Sequence, residues 1–189
     1  IDFLNKIGVK VTGGGSSVIE VSGTDTFYDV THKIIPDRIV AATYMSAAVI
    51  TGCEIEISNI MPSHMVMTLH TFRESGCEIL VKGKSLKIKA PTKLLRVPTT
   101  RSLVYPGFPT DAGPIIISML CNAKGTSVFV ENIFENRYRY VDELKRLGAK
   151  IKTEGRIAVI EGTNSLSGAG CKCTDLRGGA ALVVSALGA

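Results

Sequence analysis

No apolar run in this 189-residue sequence reaches the ~18 residues that a membrane-crossing helix requires. The first residues, Ile1-Asp2-Phe3-Leu4-Asn5-Lys6, lack the basic-then-apolar order of a secretory signal, and the absent initiator Met suggests a start inside a longer chain. There is no Lys/Arg-rich tract, although 22 Lys and Arg residues against 17 acidic ones leave a net charge of +5. That balance favours anionic partners such as phosphorylated metabolites, nucleic acid or an acidic membrane, and the missing basic tract weakens the nucleic-acid reading. His32, His64 and His70 show no metal-ligand spacing, and no Ser-His-Asp or Cys-His constellation is evident. The five cysteines include one close pair, Cys171-Lys172-Cys173, whose spacing is neither that of a redox CxxC pair nor that of a usual zinc knuckle. They read as free thiols in a reducing cytoplasm. Gly83-Lys84-Ser85 ends like a phosphate-binding loop, but Glu78 stands where the upstream Gly is needed.

What is present is ordinary globular composition, 45% hydrophobic and 21% charged, enough for one large domain or one domain with a piece of another. It is organised by an internal repeat. Phe3-Leu4-Asn5-Lys6-Ile7-Gly8-Val9-Lys10-Val11 is echoed by the segments centred on Gly76 and Gly148, a period of about 70 residues. Each segment reads as a helix end with Gly at C′, followed by a strand, a turn and a second strand. A second series interleaves with the first. Asp37, Asp111 and Asp175 each open a small-residue helix that ends near Gly52, Gly125 and Gly188. Such helices, nearly free of charge, suit burial on most sides, and Asp is a favoured N-cap. After two of them a strand ends in the same dipeptide, Asn59-Ile60 and Asn132-Ile133, and a more polar helix follows. The repeated unit is therefore an Asp-headed buried helix, a strand, a polar helix and a two-stranded hairpin, and the expected fold is α/β.

Four places could carry chemistry. In Tyr105-Pro106-Gly107-Phe108-Pro109-Thr110-Asp111 two prolines and a glycine fix the approach to a helix start. Asp111 there could take a proton from a substrate hydroxyl, or simply cap the helix. Phe134-Glu135-Asn136-Arg137-Tyr138 lies in a strand-to-helix loop, where Arg137 offers a planar fork for carboxylate or phosphate. Arg177 and Arg38 sit in the first turns of uncharged helices, where a cation opposes the helix dipole. Such placement suggests a ligand or a carboxylate partner.

Ile35-Pro36-Asp37-Arg38-Ile39, the Tyr105–Asp111 stretch, Phe134-Glu135-Asn136-Arg137-Tyr138 and Thr174-Asp175-Leu176-Arg177-Gly178-Gly179-Ala180-Ala181-Leu182 closely resemble, in order and spacing, the bacterial UDP-N-acetylglucosamine enolpyruvyl transferases. The resemblance implies two domains, each of three βαβαββ units around a pseudo-threefold axis, an inside-out α/β prism with the Asp-headed helices inside. Residues 1–29 would then be the tail of the first domain, and residues 30–189 the second, truncated in its third repeat. It implies transfer of the enolpyruvyl group of phosphoenolpyruvate to the 3′-hydroxyl of UDP-N-acetylglucosamine, releasing phosphate, in cytoplasmic peptidoglycan synthesis.

The implied roles follow residue by residue. Asp111 would contact the sugar hydroxyl as general base, and Ile133 and Phe134 would bind the UDP-sugar. Arg137 and Arg177 would surround the enolpyruvyl group. Asp37, Arg38 and Asp175 would line the cleft, with Asp175 a candidate for proton handling. No cofactor, metal, nucleic acid or membrane is expected. The family's catalytic-cysteine loop, its N-terminal Lys-Asn pair and its C-terminal arginine segment have no counterpart here. The missing first domain is thus an expected partner, and the isolated chain is expected to be inactive. Two alternatives stay open: a shikimate 3-phosphate enolpyruvyl transferase, and an RNA-end-processing or RNA-binding relative of the same repeat. The absence of stacking aromatics on a strand argues against the last.

Overall fold

The computed structural model describes residues 1–173 and 175–189, and its chain divides into two units, Ile1–Pro36 and Asp37–Ala189. The first holds helix α1 (Asp2–Lys6) and an antiparallel ribbon of β1 (Lys10–Thr12) and β2 (Glu20–Ser22), with Lys10 opposite Ser22. Asn5 ties helix to ribbon: its amide donates to the Val11 carbonyl at 2.9 Å and accepts from the Val11 N–H at 2.7 Å. Val11 is the one buried apolar side chain of this unit among the described residues.

The second unit runs through the expected order twice. Helix α2 (Arg38–Ile50) leads to β3 (Glu54–Ile57), α3 (Val66–Glu74), β4 (Glu78–Lys82) and β5 (Ser85–Lys89). After β6 (Thr99–Arg101) come α4 (Gly113–Leu120), β7 (Thr126–Val130), α5 (Val141–Arg146), β8 (Lys150–Glu154) and β9 (Ile157–Glu161). Helix α6 (Leu176–Ala186) begins a third copy.

The repeated glycines end α3 and α5 in one way. Gly76 and Gly148 adopt φ of +94° and +90°, which glycine reaches without Cβ strain. The next N–H then turns back, Cys77 to the Phe72 carbonyl and Ala149 to the Leu144 carbonyl, both at 3.1 Å. That aims β4 and β8 into their hairpins. β3, β5 and β4 form an antiparallel sheet in that order, and β6, β7, β9 and β8 a second sheet in which only β6–β7 is parallel. Alternation buries one face of each sheet: Leu86 and Ile88 on β5, Phe129 on β7, Ala158 and Ile160 on β9.

The first sheet packs on α2 and the second on α4, every residue of which is buried. α2, α4 and α6 each pack against the other two; α4 is interior as expected, while α2 and α6 each keep an exposed side, with Val40 and Tyr44 on α2 and Leu176 and Val183 on α6. Ser118 of α4 donates to the Ala181 carbonyl of α6 at 3.0 Å and meets the Ser185 hydroxyl at 2.6 Å. Small side chains allow that approach.

Two expectations need correction. The unit read from the residues begins at the helix, with no strand before it; β6 is that strand, pairing in parallel with β7, Thr100 opposite Phe129, and giving the second sheet a fourth strand that the first lacks. And Asp111 does not cap α4. Asp37 caps α2 through the N–H groups of Ile39 (2.7 Å) and Val40 (3.3 Å), and Asp175 caps α6 through those of Arg177 (3.0 Å) and Gly178 (2.8 Å). Thr110–Ala112 instead forms a 3-10 turn, and α4 starts after it with no side-chain cap. The physical reason is Pro114: its first-turn position carries no N–H to satisfy, and the Ala112 N–H already reaches the Pro109 carbonyl at 3.0 Å.

Candidate active site

Freed from capping, the Asp111 carboxylate faces two guanidinium groups. Arg137 donates from Nη2 to Oδ1 at 2.7 Å, and Nη2 of Arg177 lies 3.3 Å from Oδ2. The cluster is half open: the side chains of Asp111, Arg137 and Arg177 are 40%, 19% and 26% exposed. Arg177 reaches it from the first turn of α6, which explains a cation at the wrong end of a helix dipole. Arg137 comes from the loop after β7, its guanidinium 5.3 Å from the centre of the Phe134 ring.

Beside Asp111 lies a cavity of about 380 Å³, lined by Arg38, Tyr105, Thr110, Asp111, Ile133 and Phe134 among others. Arg38 enters from the first turn of α2, 5.5 Å from the Tyr105 ring centre. The loop carrying Tyr105 is closed by the Leu103 N–H on the Phe108 carbonyl at 3.0 Å, and Phe108 anchors it edge-to-face on Phe129. Arg38 on the cavity wall and Arg137 and Arg177 on Asp111 bring three guanidinium forks to this region. That suits an anion bearing carboxylate or phosphate.

The structure thus brings together Asp111, Arg137 and Arg177, and places Arg38, Ile133 and Phe134 with Asp111 on one cavity wall. Asp37 and Asp175 stand at the heads of α2 and α6, each with Oδ1 committed to its own helix amides. Thr174, which opens the last motif, lies outside the described residues. A larger cavity of about 620 Å³ on the β8–β9 face, between Lys145 and Val159, contains no part of the Asp111 cluster. The chemistry therefore belongs with the smaller one. No group of three His, Cys, Asp or Glu side chains that could hold a metal ion occurs among the described residues. No helix among them is long and apolar enough to cross a membrane.

Sequence reasoning missed Glu131. This carboxylate is 1% exposed and accepts from the hydroxyls of Ser102 (2.6 Å) and Thr110 (2.7 Å) and the N–H groups of Ile133 (2.8 Å) and Phe134 (3.2 Å). The signal was available: its counterpart before Asn59-Ile60 is Ser58, so one repeat exchanges a small neutral residue for a charge at a strand end. Tyr138 braces the same loop, donating to the carbonyls of Phe129 (3.1 Å) and Arg156 (3.0 Å). Burial first, then the Glu131 charge, pushes its phenol well above the ordinary range, so it stays a neutral donor.

Known proteins match this chain along its length. The profile of the EPSP synthase (3-phosphoshikimate 1-carboxyvinyltransferase) family matches residues 1–189. UDP-N-acetylglucosamine 1-carboxyvinyltransferase 2 of Caldanaerobacter subterraneus is 43% identical over 100% of this chain and 45% of its own length. The enzyme of the same name from Desulfofundulus thermocisternus is 43% identical over 98% of this chain and 76% of its own length. This chain therefore spans less than half of the first relative. Among solved structures, the enolpyruvyl transferase NikO from Streptomyces tendae superposes with a TM-score of 0.83 at 22% identity, over 98% of this chain and 45% of that one. EPSP synthase from Acinetobacter baumannii gives 0.60 at 16% identity, over 82% and 37%. Matched from end to end by the family profile and at 43% identity by such relatives, this chain belongs to the EPSP synthase family of enolpyruvyl transferases.

Proposed function

We propose that this chain forms part of a UDP-N-acetylglucosamine 1-carboxyvinyltransferase, moving the enolpyruvyl group of phosphoenolpyruvate onto the sugar 3′-hydroxyl with release of phosphate. The observation that carries the reading is Asp111, relieved of capping and held between Arg137 and Arg177 beside a cavity that Arg38 also lines. The 43% identity to relatives of that name supports this substrate pair over shikimate 3-phosphate. In this reading residues 30–189 are the greater part of the second domain and residues 1–29 the tail of the first.

Asp111 takes the hydroxyl proton as the sugar oxygen attacks the middle carbon of phosphoenolpyruvate, while the methylene carbon gains a proton. Asp175 handles that second proton through Oδ2, since Oδ1 is held by the Arg177 and Gly178 amides. The tetrahedral adduct then loses phosphate from the middle carbon and a proton from the methyl carbon, which restores the double bond. Arg137 and Arg177 offset the carboxylate and phosphate charge, with Arg38 and Asp37 at the cleft wall. Ile133 and Phe134 flank the UDP-sugar. The missing first domain would complete the site and exclude water as it closes.

The test is phosphate release by the longer polypeptide that contains this sequence, offered phosphoenolpyruvate with either UDP-N-acetylglucosamine or shikimate 3-phosphate. Turnover is expected with the sugar nucleotide, and Asp111→Asn lowers kcat by roughly 10²–10⁴-fold with a smaller change in KM. Turnover with shikimate 3-phosphate instead, or an unaltered kcat in Asp111→Asn, overturns the reading.

A further inference from the structure

We propose that Glu131 is the positioning residue of this site, a buried carboxylate that locks the Thr110–Asp111 turn to the Ile133–Phe134 loop and so fixes where Asp111 meets Arg137. Its catalytic consequence rests on the role proposed for Asp111; its structural content does not.

A carboxylate 1% exposed is costly unless it is paired or fully hydrogen-bonded. Glu131 has no ion pair within 4.0 Å among the described residues and relies on its four donors. Those donors come from three separate pieces of chain. Ser102 follows β6 and leads into the loop that carries Tyr105. Thr110 precedes Asp111, and Ile133 and Phe134 open the loop that ends in Arg137. The Ser102 hydroxyl also accepts from the Asn132 N–H at 2.8 Å, which closes the network. Every segment that lines the cavity, apart from the head of α2, is tied to this one side chain.

The sheet itself does not require such a group. In the preceding copy Ser58 takes the equivalent place after β3, and that strand pairs as regularly as β7 does. The charge is present in the copy that carries the Asp111 cluster. One arm alone connects Glu131 to the Asp111 turn, the Thr110 hydroxyl on Oε2 at 2.7 Å.

The test cuts that arm in the 189-residue chain and reads a proton that reports docking of Arg137. The Nε atom of Arg137 is buried, so its N–H exchanges slowly with water while the side chain stays against Asp111. Thr110→Val is expected to speed that exchange by about tenfold or more, the loss of one hydrogen bond to a charged group. Amide exchange at Ala158 and Ile160 of the buried β9 face stays at the wild-type rate. Thr110→Ser, which restores a hydroxyl, returns the Arg137 rate to wild type. Thr110→Ala removes the same hydroxyl with a smaller side chain and gives the same acceleration, so the proposal remains testable if Thr110→Val fails to fold. Unchanged Arg137 exchange in a folded Thr110→Val or Thr110→Ala chain overturns it, as does acceleration that Thr110→Ser does not reverse. No ligand enters this measurement. Failure to bind UDP-N-acetylglucosamine would therefore remove the proposed function while leaving the positioning role standing. In the longer enzyme, Thr110→Val lowers kcat with KM little changed, and Thr110→Ser restores it.

Discussion

Asp37, Asp111 and Asp175 occupy equivalent places in the repeat, so mutating each separates capping from chemistry. Asp37 and Asp175 each satisfy two first-turn amides, at 2.7 and 3.3 Å and at 3.0 and 2.8 Å. Replacing such a cap by Ala costs about 1 kcal/mol. For a chain of this size that lowers the unfolding midpoint by about 2–4 °C. Asp111 caps nothing, and its carboxylate is 40% exposed, so its two ion pairs fall in the weak surface range of about 0–1 kcal/mol each. Asn keeps an oxygen for Arg137. Asp111→Asn should therefore shift the midpoint by less than either cap deletion. Its effect belongs in anion binding. Removing one negative charge about 4 Å from a bound anion in water-like surroundings is worth about 1 kcal/mol, or about fivefold in affinity. Thermal unfolding by circular dichroism, paired with inorganic phosphate titration of the same samples, measures both quantities. A midpoint drop in Asp111→Asn as large as in Asp37→Ala, or weaker phosphate binding, would refute the assignment of Asp111 to the ligand rather than to the fold.

Alkaline pH should unfold the protein early. Burial pushes the Cys121 thiol from 9.0 up to about 12 and holds the phenols of Tyr138 and Tyr140 above their usual range. The unfolded chain releases these protons first, so the folded state holds more of them and stability falls as pH rises above about 9, by roughly 1.4 kcal/mol per pH unit for each fully shifted group. Unfolding midpoints between pH 8 and 11 should decline steeply in the wild type and less steeply in Cys121→Ala; a flat profile contradicts the burial argument. Ile116, fully buried in α4 among the packed helices, should cost about 2–5 kcal/mol on replacement by Ala, read from denaturant midpoints, and a loss below 1 kcal/mol would mean that α4 is not the centre of the core.

Much of the fold was legible because local rules and repetition agreed. Gly8, Gly76 and Gly148 all take positive φ after a helix, and the alternation around Gly83 and Gly155 gives the two hairpins. What escaped was non-local. β6 is three residues long and owes its existence to pairing with Val128–Val130, which no periodicity announces. The capping of α4 was misjudged because Asp before a helix is usually a cap, whereas Pro114 removes one of the amides a cap would serve. For the site, type was readable and geometry was not. Arg177 stood out as a cation at a helix N-terminus, but its partner lies 66 positions away, at Asp111, across a helix packing that the sequence only hints at.

Within a repeat, the places where copies disagree carry more information than the places where they agree. The shared features, Schellman glycines, hairpins and small-residue helices, account for stability in every copy. Three departures are confined to the second copy: Asp111 released from capping, Glu131 in place of Ser58, and the Phe134–Arg137 segment where the first copy has Met61-Pro62. None is needed to build a strand or a helix, since the first copy builds both without them. Yet the three converge: Thr110, beside Asp111, bonds Glu131, Glu131 holds Phe134, and Arg137 returns to Asp111. A closed circuit of substitutions that the architecture does not demand marks the part of this chain shaped by a ligand rather than by folding.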